Sequence, residues 1–115
     1  MGEVFTFTPE ESVEALVKKY LPSNAVLADM CNFFSVFSDV TRVKILSALA
    51  ISELCVTNIS QLLDLNQTTV SHQLRLLRDA GLVEYRRDGK TIYYRIANDQ
   101  INNIMMTGVE YLCAN

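Results

Sequence analysis

Between residues 66 and 95 the chain runs through a polar-faced helical segment, a glycine stop and two short β-prone runs, an order that few folds accommodate. Val70, Leu74 and Leu77 recur at helical spacing, so one face of this segment turns inward. Asn66 is a residue type that caps helix starts, and Gly81 supplies the left-handed stop that ends the helix at about Ala80. Residues 82–86 and 91–95 cluster β-formers on either side of 87–90, and Asp88-Gly89 within that link predicts a hairpin. A short helix over about 57–63 and a tight turn at Leu65-Asn66 precede the polar-faced helix. Short helix, tight turn, helix and immediate hairpin describe a winged helix-turn-helix.

The rest of the chain predicts helices. Thr8-Pro9-Glu10-Glu11 reads as an N-cap, a first-turn proline and a capping box, with a helix to about Tyr20 that stops at Leu21-Pro22. A second helix covers about 24–37, where Leu27, Met30, Cys31, Phe34 and Phe37 make a broad apolar stripe. Ser38-Asp39 ends it and caps a third over about 40–50. Asn98 caps a last helix over 99–113 with Ile101, Ile104, Met105, Val109 and Leu112 on one side. The expectation is a mainly α (α+β) fold of about six helices with one β-hairpin wing. Residues 1–23 form an N-terminal helical extension, and 24–115 a DNA-binding and dimerisation domain. The helices at 24–37 and 99–113 are greasier than a monomer surface requires, which predicts a homodimer.

Charge placement points to the ligand. The 115 residues carry a net charge of −3, but residues 66–97 hold six basic side chains against three acidic ones. The remainder holds four basic and ten acidic. A basic face on an acidic body suits a phosphate backbone while limiting indiscriminate binding. Gln67, Thr68, Thr69, Ser71, His72 and Arg75 carry hydrogen-bonding groups of short or medium reach, the chemistry that reads base edges in a major groove. Arg75 and Arg78 reach phosphates or guanine. Arg86, Arg87 and Lys90 cluster cations around the hairpin tip, where they meet the flanking DNA backbone or minor groove. Tyr93 and Tyr94 lie in a strand and are assigned mainly to packing.

The same residues exclude other classes. No Ser/His/Asp set, paired carboxylates or Gly-rich phosphate loop occurs, so no enzyme and no cofactor is expected. His72 is the only histidine, and it is read as a DNA contact. Cys31, Cys55 and Cys113 are odd in number and widely spaced, against a disulfide scaffold or a structural metal site. No apolar run reaches the ~20 residues of a membrane span, and no signal-peptide pattern opens the chain, so a cytoplasmic protein without membrane contacts is expected. The alternative is a winged-helix protein-interaction module with no inducer site. Basic residues on both the helix and the wing stand against it.

Glu53-Leu54-Cys55-Val56, the run from Thr69 through Ser71-His72-Gln73-Leu74 to Arg78, Gly81-Leu82-Val83, and the run from Arg87-Asp88-Gly89-Lys90 to Tyr94 resemble the ArsR/SmtB family of metal-responsive repressors. Residues 37–46 resemble the helix that precedes its reading unit, and the likeness covers about 25–112. The resemblance implies a homodimer held by first and last helices, bound to a palindromic double-stranded DNA operator and released by an inducer. It also implies sensor sites that this chain alters. The family's metal site between the last helices falls on Asn98, Gln100, Tyr111 and Ala114, a set without a histidine or an acid. Its second site falls on Cys55, with Thr57 in place of a second cysteine. In relatives that sense oxidants or reactive sulfur, one cysteine matches Cys113; Ser47 stands at its partner's position, leaving Cys31 as the substitute. Cys31, Cys55 and Cys113 are therefore the candidate sensor thiols, for a redox or reactive-sulfur signal or a thiophilic metal.

Overall fold

The structure, a computed structural model, describes residues 12–114. The Thr8–Glu11 capping signal lies outside the described residues. Helix α1 (Val13–Tyr20) begins after Ser12, which is extended at φ −77°, ψ 157° and accepts the Ala15 N–H on its hydroxyl. It ends at Leu21, before Pro22 as expected, with the Leu21 N–H donating to the Val17 carbonyl. Helix α2 (Asn24–Ser35) follows and buries none of its residues. A 3-10 turn, Val36–Ser38, completes the segment predicted as helix to Phe37. The chain divides into two compact units between Asn32 and Phe33.

In the second unit, Asp39 is extended and its carboxylate accepts the Arg42 N–H at 2.9 Å, which starts α3 (Val40–Ile51). The Arg42 Nε donates to the Val36 carbonyl at 3.1 Å and fixes the turn against this helix. A two-residue strand, β1 (Leu54–Cys55), then leads directly into α4 (Val56–Leu63). The helix-turn-helix bend follows: Asp64 is left-handed at φ 55°, the Leu65 N–H donates to the Ser60 carbonyl, and the Ser60 hydroxyl donates to the Leu65 carbonyl. Asp tolerates that backbone region better than most residues because its short side chain bonds locally.

Helix α5 (Gln67–Asp79) starts where expected, on Asn66, whose Oδ1 accepts the Thr69 N–H at 2.7 Å. Gly81, at φ 81°, ends it: the Gly81 N–H donates to the Arg78 carbonyl and the Leu82 N–H to the Leu77 carbonyl. Strands β2 (Val83–Asp88) and β3 (Thr91–Ile96) make the hairpin. The hairpin tip is tighter than the sequence suggests, because Arg87 and Asp88 still belong to β2 and Asp88 pairs with Thr91. Only Gly89-Lys90 turn, with Gly89 at φ 63° and Lys90 outside the left-handed region, as a type II′ turn requires. Helix α6 (Asp99–Cys113) starts on Asn98, whose Oδ1 accepts the Gln100 and Ile101 N–H groups.

The sheet order is β1-β3-β2, all antiparallel, with Leu54 opposite Tyr94 and Cys55 opposite Tyr93. Ile45, Leu46, Leu49, Ile59, Val70, Leu74, Leu77, Leu82, Val83 and Ile101 form one core that joins α3, α4, α5, the hairpin and α6. Val70, Leu74 and Leu77 are fully buried, so the inward face predicted for α5 is the one observed. Tyr94 packs against this core and Tyr93 does not, which splits the tyrosine pair as strand alternation demands.

Candidate nucleic-acid interface

The buried stripe of α5 determines what the helix offers outward. Gln67, Thr68, Ser71, His72 and Arg75 are exposed and line one polar depression of about 460 Å³. Thr69 is half-buried, and its amide is already taken by Asn66. A second depression, about 530 Å³, lies between helix and wing: Ser71, Arg75 and Arg78 line it from α5, Lys90, Thr91, Ile92 and Tyr94 from the hairpin, and Thr57 from α4. Ser71 and Arg75 line both, so the polar helix face runs without a break into the wing.

The six basic residues of this region are not equivalent. Arg86 donates from Nε and Nη2 to one Glu53 oxygen at 2.9 and 2.7 Å, and its guanidinium lies 4.8 Å from the centre of the Tyr93 ring. The hydrogen bond from Arg86 holds the Glu53 carboxyl below its usual range, and the same bond raises Arg86. Arg95 is bound to Glu84 at 2.7 Å. Arg78 lies over the Tyr85 ring at 5.3 Å and 4.0 Å from Asp79. Arg75, Arg87 and Lys90 are exposed and make no ion pair among the described residues. Strand register separates the two wing arginines further. Arg87 is opposite Ile92, on the sheet face shared with Tyr85 and Tyr94, whereas Arg86 is opposite Tyr93 on the other face.

Sequence reasoning missed Glu53, Thr57 and Thr91. Glu53 meets Arg86 across 33 residues because β1 pairs with β3, and a two-residue strand is too short to show an alternating pattern. Thr57, just after β1, and Thr91, opposite Asp88 in the hairpin, both line the groove.

The candidate thiols fall into two groups. Cys31 and Cys113 are exposed. Cys55 is half-buried at the start of α4, where the Asn58 Oδ1 accepts from its Sγ at 3.0 Å and its backbone N–H at 3.5 Å. It borders the helix–wing groove and serves as a helix cap. No group of three His, Cys, Asp or Glu side chains gathers among the described residues, and no helix among them is long and apolar enough to cross a membrane.

A helix-turn-helix whose second helix presents an unbroken polar and cationic face, continued by a basic hairpin, is a winged helix-turn-helix of the DNA-binding class. Known proteins then narrow that class. Residues 39–85 match the family model described as bacterial regulatory protein, arsR family. A transcriptional repressor SmtB homolog from Synechocystis sp. is 40% identical over 83 residues, covering 72% of this chain and 63% of the relative. A cadmium resistance transcriptional regulatory protein CadC homolog from Staphylococcus aureus is 33% identical over 101 residues, covering 87% and 82%. The homodimeric winged helix-turn-helix DNA-binding domain from Mycobacterium bovis superposes with a TM-score of 0.68 at 31% identity, covering 81% of this chain and 93% of that one. This chain belongs to the ArsR/SmtB family of transcriptional regulators, DNA-binding proteins rather than enzymes.

Proposed function

We propose that the chain is a homodimeric repressor that places two α5 helices in successive major grooves of a palindromic operator and rests its wings on the flanking backbone. The observation that carries this reading is the continuous surface on which Arg75 and Lys90, neither of them ion-paired among the described residues, join the polar face of α5 to the wing. Gln67, Thr68, Ser71 and His72 supply base contacts, with Arg75 and Arg78 close behind. Pairing of two copies uses the apolar residues that α2 and α6 leave exposed: Val26, Met30 and Phe34 on one, Ile104, Met106, Val109 and Leu112 on the other. The Mycobacterium bovis relative is homodimeric, which supports this reading.

Release from DNA enters through sulfur, at Cys31 and Cys113. Both thiols are exposed, whereas Cys55 is committed to Asn58. The name of the Staphylococcus aureus relative ties it to cadmium. Here, though, a single thiol at Cys55 with Thr57 two positions on is a poor donor set for a soft ion.

Fluorescence anisotropy with duplexes from the chain's own promoter and scrambled controls, run beside sedimentation, tests the assembly and the DNA reading together. A folded wild-type monomer at micromolar concentration, or equal affinity for all duplexes, refutes it. Ile104→Glu gives monomer if α6 is the interface. Polysulfide or a mild oxidant lowers operator affinity in the wild type and not in Cys31→Ser or Cys113→Ser. Release by cadmium in the double variant would instead assign sensing to Cys55.

A further inference from the structure

The side of α3 away from the core borders an open groove of about 860 Å³ that DNA reading does not use. Val40, Val43, Ser47, Ala48 and Ile51 line it at spacings of three, seven, eight and eleven from the first, a single stripe along a helix of 12 residues. Twelve residues rise about 18 Å, so the groove is long. Phe37, Leu54, Leu62 and Leu63 add apolar lining from outside α3. Val40 is 72% exposed, Leu62 68% and Ile51 87%, an apolar strip that water covers at a cost.

One charge sits on this strip. Lys44 is exposed, lies among the lining residues and has no ion pair among the described residues. Of the three lining serines, Ser38 and Ser52 spend their hydroxyl protons on the Ser35 and Glu53 carbonyls, and Ser47 does not. A long apolar trough with a single ammonium and one hydroxyl on its wall complements a single-chain anionic amphipath: tail along α3, head on Lys44 and Ser47. Duplex DNA gains nothing from such walls, and a cationic amphipath is repelled by Lys44.

We propose that this groove binds a fatty carboxylate and that its occupancy weakens DNA binding, the second half resting on the repressor reading above. The route is short. Leu62 and Leu63 end α4, and Leu63 packs against the core that contains Leu74 and Leu77 of α5. Asp64 and Leu65 then lead directly to Asn66, the cap of the reading helix. A tail wedged between α3 and the end of α4 moves the turn that aims α5, a change that needs neither Cys31 nor Cys113.

Equilibrium dialysis of the full chain with laurate, without DNA, tests the site. Dodecyltrimethylammonium serves as the length-matched cation, and circular dichroism checks that each variant is folded. Laurate should bind once per chain. Lys44→Glu should weaken it about tenfold, Ser47→Trp should fill the trough and abolish binding, and the cation should bind poorly. Operator affinity should then fall about fivefold or more with laurate, equally in the Cys31→Ser/Cys113→Ser double variant and not in Ser47→Trp. No laurate binding, equal binding of the cation, or full binding by folded Ser47→Trp overturns the site. Lys44-dependent binding with unchanged operator affinity overturns the coupling. Failure of the unliganded chain to bind DNA would sink the repressor reading, and the dialysis would still decide the groove.

Discussion

Alanine at each wing cation tests whether Arg87 faces DNA while Arg86 holds the wing. Arg87 and Lys90 make no ion pair among the described residues, whereas Arg86 is bound twice to Glu53 and stacked on Tyr93. Each phosphate contact contributes about 0.9 to the slope of log affinity against log salt, and a homodimer makes every contact twice. Arg87→Ala and Lys90→Ala should therefore each flatten the slope by about 1.8. Between 50 and 200 mM salt the wild type should then lose roughly tenfold more affinity than either variant. Arg86→Ala should change the slope much less, because its charge is already matched by Glu53. Anisotropy titrations at several salt concentrations, on both an operator and a scrambled duplex, give the three slopes directly. If Arg86→Ala flattens the curve as much as Lys90→Ala, the Glu53 pair does not withhold that charge from DNA, and the division of the wing proposed here is wrong.

Ser71→Ala and His72→Ala should each cost about 1–3 kcal/mol on the operator and little on scrambled DNA, since both line the helix-face depression. Asn66→Ala removes the cap on α5 and should destabilise the chain by about 1 kcal/mol; a thermal melt with no shift would show that the 2.7 Å bond to Thr69 contributes nothing. Leu74→Ala, at a fully buried position, should cost about 2–5 kcal/mol by chemical denaturation. Glu53 has a lowered pKa, so its contribution is complete above 4.5 and is lost as pH falls through the lower folded value. Hydrogen exchange in β1 and β3 should accelerate across that acid window in the wild type and show no such step in Glu53→Gln.

Much of this architecture was legible because its signals are local. Asn66, Asp39 and Asn98 start helices where their side chains lie within three residues of the amides they accept from. Gly81 and Gly89 mark the two places where the backbone takes positive φ after α5 and at the hairpin tip. The inward stripe of α5 repeats often enough to fix the outward one, so the residues of its exposed polar face were legible. What was not legible depends on pairings between distant segments. Strand β1 is two residues long and carries no period, yet it brings Glu53 to Arg86. The trough along α3 was also invisible, because Ile45 and Leu49 face the core from the same helix that exposes Val40 and Ile51. Periodicity reports that a helix is greasy on several sides, and only its neighbours decide which sides are covered.

The charge pattern acquires a different meaning once the pairs are known. A count of six basic residues in 66–97 suggests a broadly cationic face on a chain of net charge −3. Two of the six, Arg86 and Arg95, are matched by Glu53 and Glu84. Of the remaining four, Arg78 lies 4.0 Å from Asp79, which leaves Arg75 on α5 and Arg87 and Lys90 on the wing without an ion pair among the described residues. A surface with few free cations on an acidic body holds random DNA weakly, because counterion release scales with the number of phosphates neutralised. On the proposed function, affinity for an operator then comes largely from base contacts by Gln67, Thr68, Ser71 and His72, which require both α5 helices of a dimer to be correctly aimed. If that proposal holds, little sequence-independent grip is in reserve, and a small change in that aim should free the DNA, the behaviour an inducible repressor needs.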